Sequence, residues 1–144
     1  MSDVNERFSL ALHATAREWR RAIDRRLKYL GVSQASWMTI ATTARSPEPL
    51  SQSELADRLA VEGATIVAMI DRLVKAGLVL REGSHTDRRV KYIVLTDAGR
   101  KLHDAVQAEA KAVREALLAG IAHEDLLKAT QLLEKLQHAI GTIV

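Results

Sequence analysis

The chain has 144 residues, 47% of them hydrophobic and 27% charged, and a formal net charge of +3. This composition supports a folded core and excludes global disorder, and the length suits one compact domain. The sequence contains no cysteine, which excludes a disulfide framework, a thiolate metal site and a cysteine-based sensor.

No targeting or membrane-spanning pattern is expected. Residues 1–8 contain Asp3 and Glu6 and lack a basic stretch followed by an apolar one, so they do not resemble a secretory signal. The longest uncharged stretch, residues 31–44, is shorter than the roughly 20 apolar residues of a spanning helix. We therefore expect a soluble, cytoplasmic protein.

Two amphipathic helices are predicted at the start of the chain. Residues 5–30 form the first, because apolar residues recur there at helical spacing: Phe8, Leu12, Trp19, Ile23, Leu27 and Leu30. Gly31 is placed to end this helix and Ser33 to cap the second. The inward face of the second helix is predicted to be Trp37, Ile40, Ala41 and Ala44. Pro47 and Pro49 then interrupt the pattern.

A helix-turn-helix is predicted next. Ser51 and Glu54 form a capping box, in which each side chain accepts a hydrogen bond from the other residue's amide. The chain turns at residues 60–61 and continues as a helix over residues 62–76, which Gly77 is placed to terminate. The inward residues are predicted to be Leu55, Leu59, Ile66, Ile70, Leu73 and Val74.

A β wing and two long helices complete the predicted chain. Residues 78–80 and 90–95 are rich in β-branched residues and flank a polar span, which predicts a two-stranded wing over residues 78–95. Thr96 caps the next helix, whose apolar residues are Leu102, Val106, Val113 and Leu117. Gly120 closes that helix. In the last helix, apolar residues form a seam typical of lengthwise packing: Leu126, Ala129, Leu133, Leu136 and Ile140.

This order of elements predicts a mainly α fold, a winged helix-turn-helix with a two-stranded β wing and long terminal helices. Residues 1–144 are expected to form one domain. Residues 5–30 and 97–144 would supply the dimerisation helices, and residues 33–95 the DNA-binding lobe.

The second helix of such a motif offers its N-terminal exposed face to the DNA major groove. The residues expected there are Gly63, Ala64, Thr65, Ala68 and Met69. Thr65 can contact a base or a phosphate, and the apolar members can touch thymine methyl groups, but none can form a bidentate pair with a base. The alternative is that this small, uncharged face packs on another protein.

The polar span of the wing, residues 81–89, carries charge and has no apolar residue to bury. Its polar residues include His85, Asp87, Arg88 and Arg89, with Arg81 and Lys91 on the flanking strands. An arginine on a projecting ribbon can enter a narrow minor groove, and a neighbouring carboxylate can hold it in position. A charged hairpin is often only a solvated loop, and the preceding helix-turn-helix favours the DNA-binding interpretation.

Several runs resemble the MarR family of transcriptional regulators, closest to its SlyA-like branch. They are LSQSELADRL at residues 50–59, IDRLVKAGLV at 70–79, and DRR at 87–89 followed by LTDAG at 95–99. The resemblance covers nearly the whole chain. It implies a homodimer held by the first and last helices, which binds a pseudo-palindromic operator with one recognition helix for each half-site.

The resemblance also implies roles for individual residues. Arg89 would enter the minor groove with Asp87 as its orienting partner, and Arg72 would support the wing or meet phosphate. Arg88 is expected to contact the DNA backbone. Ser51, Gln52 and Thr65 are further candidates for phosphate or groove contacts.

The chain departs from the family at the recognition helix. Many members carry arginine or another polar residue at the position of Ala68, and Ser or Thr where this chain has Glu62 and Gly63. The loss of a bidentate contact removes roughly 1 to 3 kcal/mol of discrimination between bases. Specificity is therefore expected to depend on wing insertion and DNA shape.

Relatives in the family release DNA when a small phenolic or aromatic carboxylate binds between the dimerisation helices and the DNA-binding lobe. His13, Arg17 and Trp37 lie on segments that would line such a cleft. The simpler interpretation is that Trp37 belongs to the core, that Arg17 is a solvated or interface charge, and that His13 is a surface histidine.

No enzyme, metal or cofactor site is predicted. The five histidines show neither HxxxH nor HExxH spacing, and the sequence has no phosphate-binding glycine loop or nucleophile elbow. The main prediction is a ligand-responsive transcriptional regulator that acts as a repressor, with an activator as the alternative. The rival from another class is a winged-helix module that binds a polypeptide rather than specific DNA.

Overall fold

The computed structural model describes residues 3–143. Met1 and Ser2, from the predicted segment 1–8, and Val144, from the predicted segment 97–144, lie outside the described residues. In this range the elements are α1 (Val4–Leu27), α2 (Gln34–Arg45), β1 (Leu50–Ser51), α3 (Gln52–Leu59), α4 (Gly63–Lys75), β2 (Val79–Gly83), β3 (Lys91–Leu95), α5 (Asp97–Leu118) and α6 (His123–Ile143). A 3₁₀ turn, Lys28–Leu30, follows α1. The predicted mainly helical fold is confirmed.

The chain divides into two compact units, of which the first ends at Lys111 and the second begins at Ala112. The first unit holds one buried cluster, built by α2, α3, α4 and the sheet. Its members are Ile40, Leu50, Leu55, Ala56, Ile66, Met69, Ile70, Leu73, Val79 and Ile93. Each large side chain of this kind contributes about 1.5 to 3 kcal/mol when it leaves water, so the cluster fixes the helices against the sheet.

Local capping rules set the helix ends. The Ser33 hydroxyl accepts from the Ser36 amide at 3.2 Å. The capping box of Ser51 and Glu54 is confirmed, with bonds of 3.1 and 3.3 Å. After α4, Gly77 adopts a left-handed φ of 76° and its amide donates to the Val74 carbonyl, which ends the helix as predicted.

The predicted two-stranded wing is extended by a third strand. β1 pairs antiparallel with β3 through Leu50 and Ile93, and the strand order is β1-β3-β2. The reason lies in the capping box: Ser51, as the N-cap of α3, must be extended, and an extended residue next to a strand can join its ladder. The sheet thereby ties the wing to the start of α3.

A salt-bridged cluster joins the end of α1 to α5 in the first unit. Arg26 Nε donates to Glu109 at 2.6 Å, and the Tyr29 hydroxyl donates to the same carboxylate. The hydrogen bond from Tyr29, followed by that from Arg26, lowers the pKa of the Glu109 carboxyl below its ordinary value. Glu109 is therefore charged at neutral pH and holds both partners.

The second unit contains the end of α5 and all of α6. No residue of α6 is buried within the chain. Of the predicted seam, Leu126 and Leu136 are half-buried, while Ala129, Leu133 and Ile140 are exposed. An apolar helix face of this length is unusual on a monomer surface.

Residues 3–143 contain neither a helix suited to span a membrane nor a cluster suited to bind a metal ion. None of these helices combines the length and apolar character that crossing a membrane requires. No group of three or more histidine or acidic side chains is arranged to hold a metal ion.

The first turn of α5 lies directly against the start of β2. Thr96 caps α5 by accepting from the Gly99 amide at 3.0 Å, and its own amide donates to the Leu78 carbonyl at 3.1 Å. A Cβ added to Gly99 would lie 2.1 Å from that same carbonyl oxygen. Glycine is therefore required here by the close approach of two backbones.

We expect Gly99→Ala to lower the free energy of unfolding by about 3 kcal/mol, because the clash is with backbone and cannot relax by a rotamer change. Denaturant unfolding measures this change in the free energy of unfolding. Gly63→Ala is the matched control, since its Cβ meets nothing within 4 Å, and it should stabilise the protein by up to about 1 kcal/mol. An unchanged unfolding midpoint for Gly99→Ala would contradict the steric argument.

Candidate nucleic-acid interface

The exposed face of α4 begins at its first residue. Gly63, Ala64, Thr65 and Ala68 are exposed, as predicted. The opposite face, with Ile66, Ile70 and Leu73, is buried in the cluster. The first two turns of α4 therefore present small side chains and one hydroxyl, which leaves room for close approach to another surface.

The prediction that Met69 lies on this exposed face is wrong. Met69 is only 6% exposed, and its sulfur accepts a hydrogen bond from the Thr39 hydroxyl of α2 at 2.6 Å. The helical period explains the error, because Met69 lies three residues from Ile66 and so shares its inward side. Met69 joins α4 to α2 and has no direct access to a ligand of the exposed face.

The wing presents one arginine in a fixed orientation. The Arg89 side chain is 91% exposed, and it meets the Asp87 carboxylate through Nε at 3.2 Å and Nη2 at 3.3 Å. The Arg89 amide also donates to Asp87 at 3.0 Å. These hydrogen bonds from Arg89 hold the pKa of the Asp87 carboxyl below its ordinary value. The pair matches the orienting arrangement that the resemblance implies.

The ribbon tip is ordered by Ser84, which the sequence reasoning missed. Its hydroxyl oxygen accepts from the amides of Thr86 at 3.1 Å and Asp87 at 3.2 Å. The serine two residues before a threonine and three before an aspartate is the available sequence signal for such a turn. His85 and Arg88 lie exposed on the same tip, so the loop displays three basic side chains.

Arg81 braces the wing against the helix-turn-helix. From β2, its Nε donates to the Gln52 side chain at 2.7 Å, and its Nη2 donates to the Val67 carbonyl at 3.3 Å. Nη2 also pairs with Asp71 of α4 at 2.6 Å. One guanidinium, 27% exposed, thus links β2 to the start of α3 and to the middle of α4.

This brace changes the interpretation of three predicted residues. The role of wing support, offered for Arg72, is filled by Arg81, while Arg72 lies exposed on α4. Gln52 gives its side-chain oxygen to Arg81, and the Ser51 hydroxyl accepts from the Glu54 amide. The side chains of Gln52 and Ser51 therefore stabilise the lobe itself.

The candidate ligand residues are not joined to one another. His13 and Arg17 are exposed on α1, and Trp37 is half-buried on α2. Within residues 3–143, no hydrogen bond or ion pair links the three side chains. The indole Nε1 of Trp37 is buried without a hydrogen-bond partner in this range, and such an atom has a donor to offer.

Two further features of the first unit were not predicted. The imidazole Nδ1 of His103 is also buried without a partner among the described residues, and burial lowers the pKa of this histidine. A mainly apolar pocket of about 430 Å³ lies between the start of α2 and the helix-turn-helix, lined by Ser33, Gln34, Ala35, Met38, Leu59, Val61 and Met69. Neither depends on a local sequence motif.

A short helix pair with a tight turn, a braced β-ribbon and an exposed basic tip together define a winged helix-turn-helix of the kind found in transcriptional regulators. Residues 30–90 match the model of the MarR family. The chain is 37% identical to the solved transcriptional regulator PA3341, with 94% of this chain and 98% of that one covered and a TM-score of 0.84. The chain belongs to the MarR family.

Two other solved structures share the fold at lower identity. Staphylococcus aureus MarR, in complex with salicylate and kanamycin, is 18% identical, with 98% and 95% of the two chains covered and a TM-score of 0.86. CouR from Rhodococcus jostii, bound to p-coumaroyl-CoA, is 23% identical, with 94% and 95% covered and a TM-score of 0.78. MarR-family proteins are transcriptional regulators rather than enzymes.

We expect Arg81→Ala to lower the free energy of unfolding by about 2 kcal/mol, because it removes the hydrogen bonds that a charged group makes to the Gln52 side chain and the Val67 carbonyl. Arg81→Lys should lose most of the same stability, since an ammonium group cannot reproduce the planar fork. Amide hydrogen exchange of β2 and β3 should accelerate in both variants.

The control is Arg88→Ala, an exposed wing residue whose loss should change stability by no more than about 0.5 kcal/mol. Equal stability and equal exchange rates for wild type and Arg81→Ala would show that the brace has no structural role.

Proposed function

We propose that the protein is a homodimeric transcriptional regulator, acting as a repressor, that binds a pseudo-palindromic operator in duplex DNA. The observation that carries this proposal is the wing: Arg89 is exposed yet oriented by Asp87, on a ribbon that Arg81 braces to α4. A cation held away from its own protein is suited to an anionic groove.

The two parts of the lobe would bind different grooves. The exposed face of α4 would enter the major groove, with Thr65 as its hydrogen-bonding side chain, and Arg89 would enter the adjacent minor groove. Arg88 on the wing tip and Arg72 on α4 would neutralise phosphates, and His85 would contact the DNA beside Arg88. The brace supports this division because it sets the spacing between helix and ribbon.

The terminal helices would form the dimer. The large apolar residues that α6 leaves exposed are Leu127, Leu132, Leu133, Ile140 and Ile143, and association with a second copy would bury them.

The runs at residues 50–59 and 70–79 also lead us to place the chain near the SlyA-like branch of the family.

A small aromatic acid would release the DNA. Support comes from Staphylococcus aureus MarR and CouR, whose structures contain salicylate and p-coumaroyl-CoA. The indole N–H of Trp37, which has no partner among residues 3–143, would donate to such a ligand. Arg17, exposed on α1, would supply the countercharge to a carboxylate, and His13, exposed on the same helix, would offer a hydrogen bond.

Replacing Arg89 with Ala should weaken operator binding and reduce the slope of log K against log salt by about one unit, because one fewer phosphate counterion is released. Arg89→Lys should keep the slope but bind less tightly, since lysine lacks the fork that pairs with Asp87. Fluorescence anisotropy over a salt series, with genomic fragments selected by the protein, measures both quantities.

Arg45→Ala is the control, because Arg45 is exposed in the last turn of α2, outside the proposed DNA contacts and the proposed dimer helices. It should leave affinity and slope unchanged. Unchanged affinity in Arg89→Ala would remove Arg89 from the mechanism. Binding to duplex that is weak and independent of salt would favour the polypeptide-binding module instead, and sedimentation as a single chain would exclude the dimer.

Salicylate should raise the melting temperature of the protein and displace it from selected DNA. Binding at 100 times the Kd stabilises the folded state by about 2.7 kcal/mol. Trp37→Phe keeps the aromatic ring and removes the N–H, so it should reduce the shift. The absence of a shift with salicylate and with related phenolic acids would count against an effector of this class.

A further inference from the structure

The recognition helix exposes one branched apolar side chain that the sequence reasoning did not select. Val67 is 41% exposed on α4, one helical turn after the exposed Ala64. Among residues 63–68, the only exposed side chain with a polar atom is Thr65. This part of α4 therefore offers little hydrogen-bonding chemistry and one well-defined hydrophobic contact.

The position of Val67 is fixed by the brace. Its carbonyl accepts from Arg81 Nη2 at 3.3 Å, and Asp71, one turn later, pairs with the same guanidinium at 2.6 Å. A valine in a helix has essentially one χ1 rotamer, so its two methyl groups also have a fixed direction. Little conformational entropy remains to be lost when a partner covers them.

The surroundings of Val67 indicate what that partner is. The same lobe presents the exposed Arg88 and Arg89 on its wing, so its ligand must combine negative charge with an apolar group near α4. In duplex DNA, thymine is the base with a methyl group in the major groove. A·T tracts also have the narrow minor groove that attracts arginine. Both parts of the lobe are thus matched to A·T pairs.

We propose that Val67 is a specificity-determining residue, whose methyl groups pack on the 5-methyl group of a thymine in each half-site. This inference rests on the proposed function. It assigns the apolar base contact to Val67, which was not among the residues predicted for this face, rather than to Ala64, Ala68 or the buried Met69. Half-sites should carry a thymine at one constant position.

The test uses duplexes recovered from a randomised library by the purified protein at low salt. Each thymine of the half-site is replaced in turn by deoxyuridine, which keeps the base pair and removes the methyl group alone. For wild type, affinity should fall about fourfold at one position in each half-site, the factor expected for uncovering one methyl-sized group.

Val67→Ala, measured on the thymine and deoxyuridine duplexes, completes a double-mutant cycle between Val67 and the thymine methyl group. It should lose a similar factor on the thymine duplex and show no further loss with deoxyuridine, because the contact is already absent. Alanine has the higher helix propensity, and the melting temperature should confirm that this variant is folded. Leu80→Ala is the control: Leu80 is 51% exposed on β2, and it alternates to the sheet face opposite Arg81.

The outcomes separate the two proposals. If wild type binds all deoxyuridine duplexes as tightly as thymine duplexes, methyl recognition is overturned while DNA binding stands. If Val67→Ala still loses fourfold with deoxyuridine, another residue makes the contact and the assignment to Val67 is wrong. If no duplex is bound even at low salt, the proposed function falls and this inference falls with it.

Discussion

The DNA-binding lobe depends on a single guanidinium. Arg81 is the point at which β2, the start of α3 and the middle of α4 meet, through Gln52, the Val67 carbonyl and Asp71. A ribbon that projects into solvent has few apolar contacts of its own, so its direction must come from directed polar bonds. The buried cluster joins the base of the ribbon to α4, and Arg81 extends that connection to the outer part of the ribbon. Without this brace, a duplex would have to order the outer ribbon on binding.

Two kinds of side chain build the candidate nucleic-acid interface. Some are exposed and oriented by a neighbouring side chain, and others are buried beneath the exposed face. Arg89 is held by Asp87 and remains exposed, whereas Met69 is buried and bonded to Thr39. Orientation before binding limits the entropy lost on association, so a lobe with few hydrogen bonds to bases could still select a site in the proposed complex. Apolar contacts in one groove and electrostatic contacts in the other would then reinforce each other.

Much of the fold was predictable because it follows from local chemistry. The Ser51 and Glu54 capping box, the left-handed Gly77 and the Thr96 cap each involve residues within a few positions of one another. The errors and omissions are nonlocal. β1 exists because Leu50 meets Ile93, and Met69 is covered by a helix thirty residues earlier. The three partners of Arg81 likewise come from different elements, so the sequence showed only a basic residue on a strand.

The contact between Gly99 and Leu78 has a mechanical consequence. Because the two backbones touch with no side chain between them, the base of the ribbon and the first turn of α5 must move as one piece. A small tilt of that turn would therefore be transmitted through Leu78 to β2. Because Arg81 also ties β2 to α4, distortion at the root of α5 would displace the ribbon and α4 together, and with them both surfaces of the proposed DNA interface.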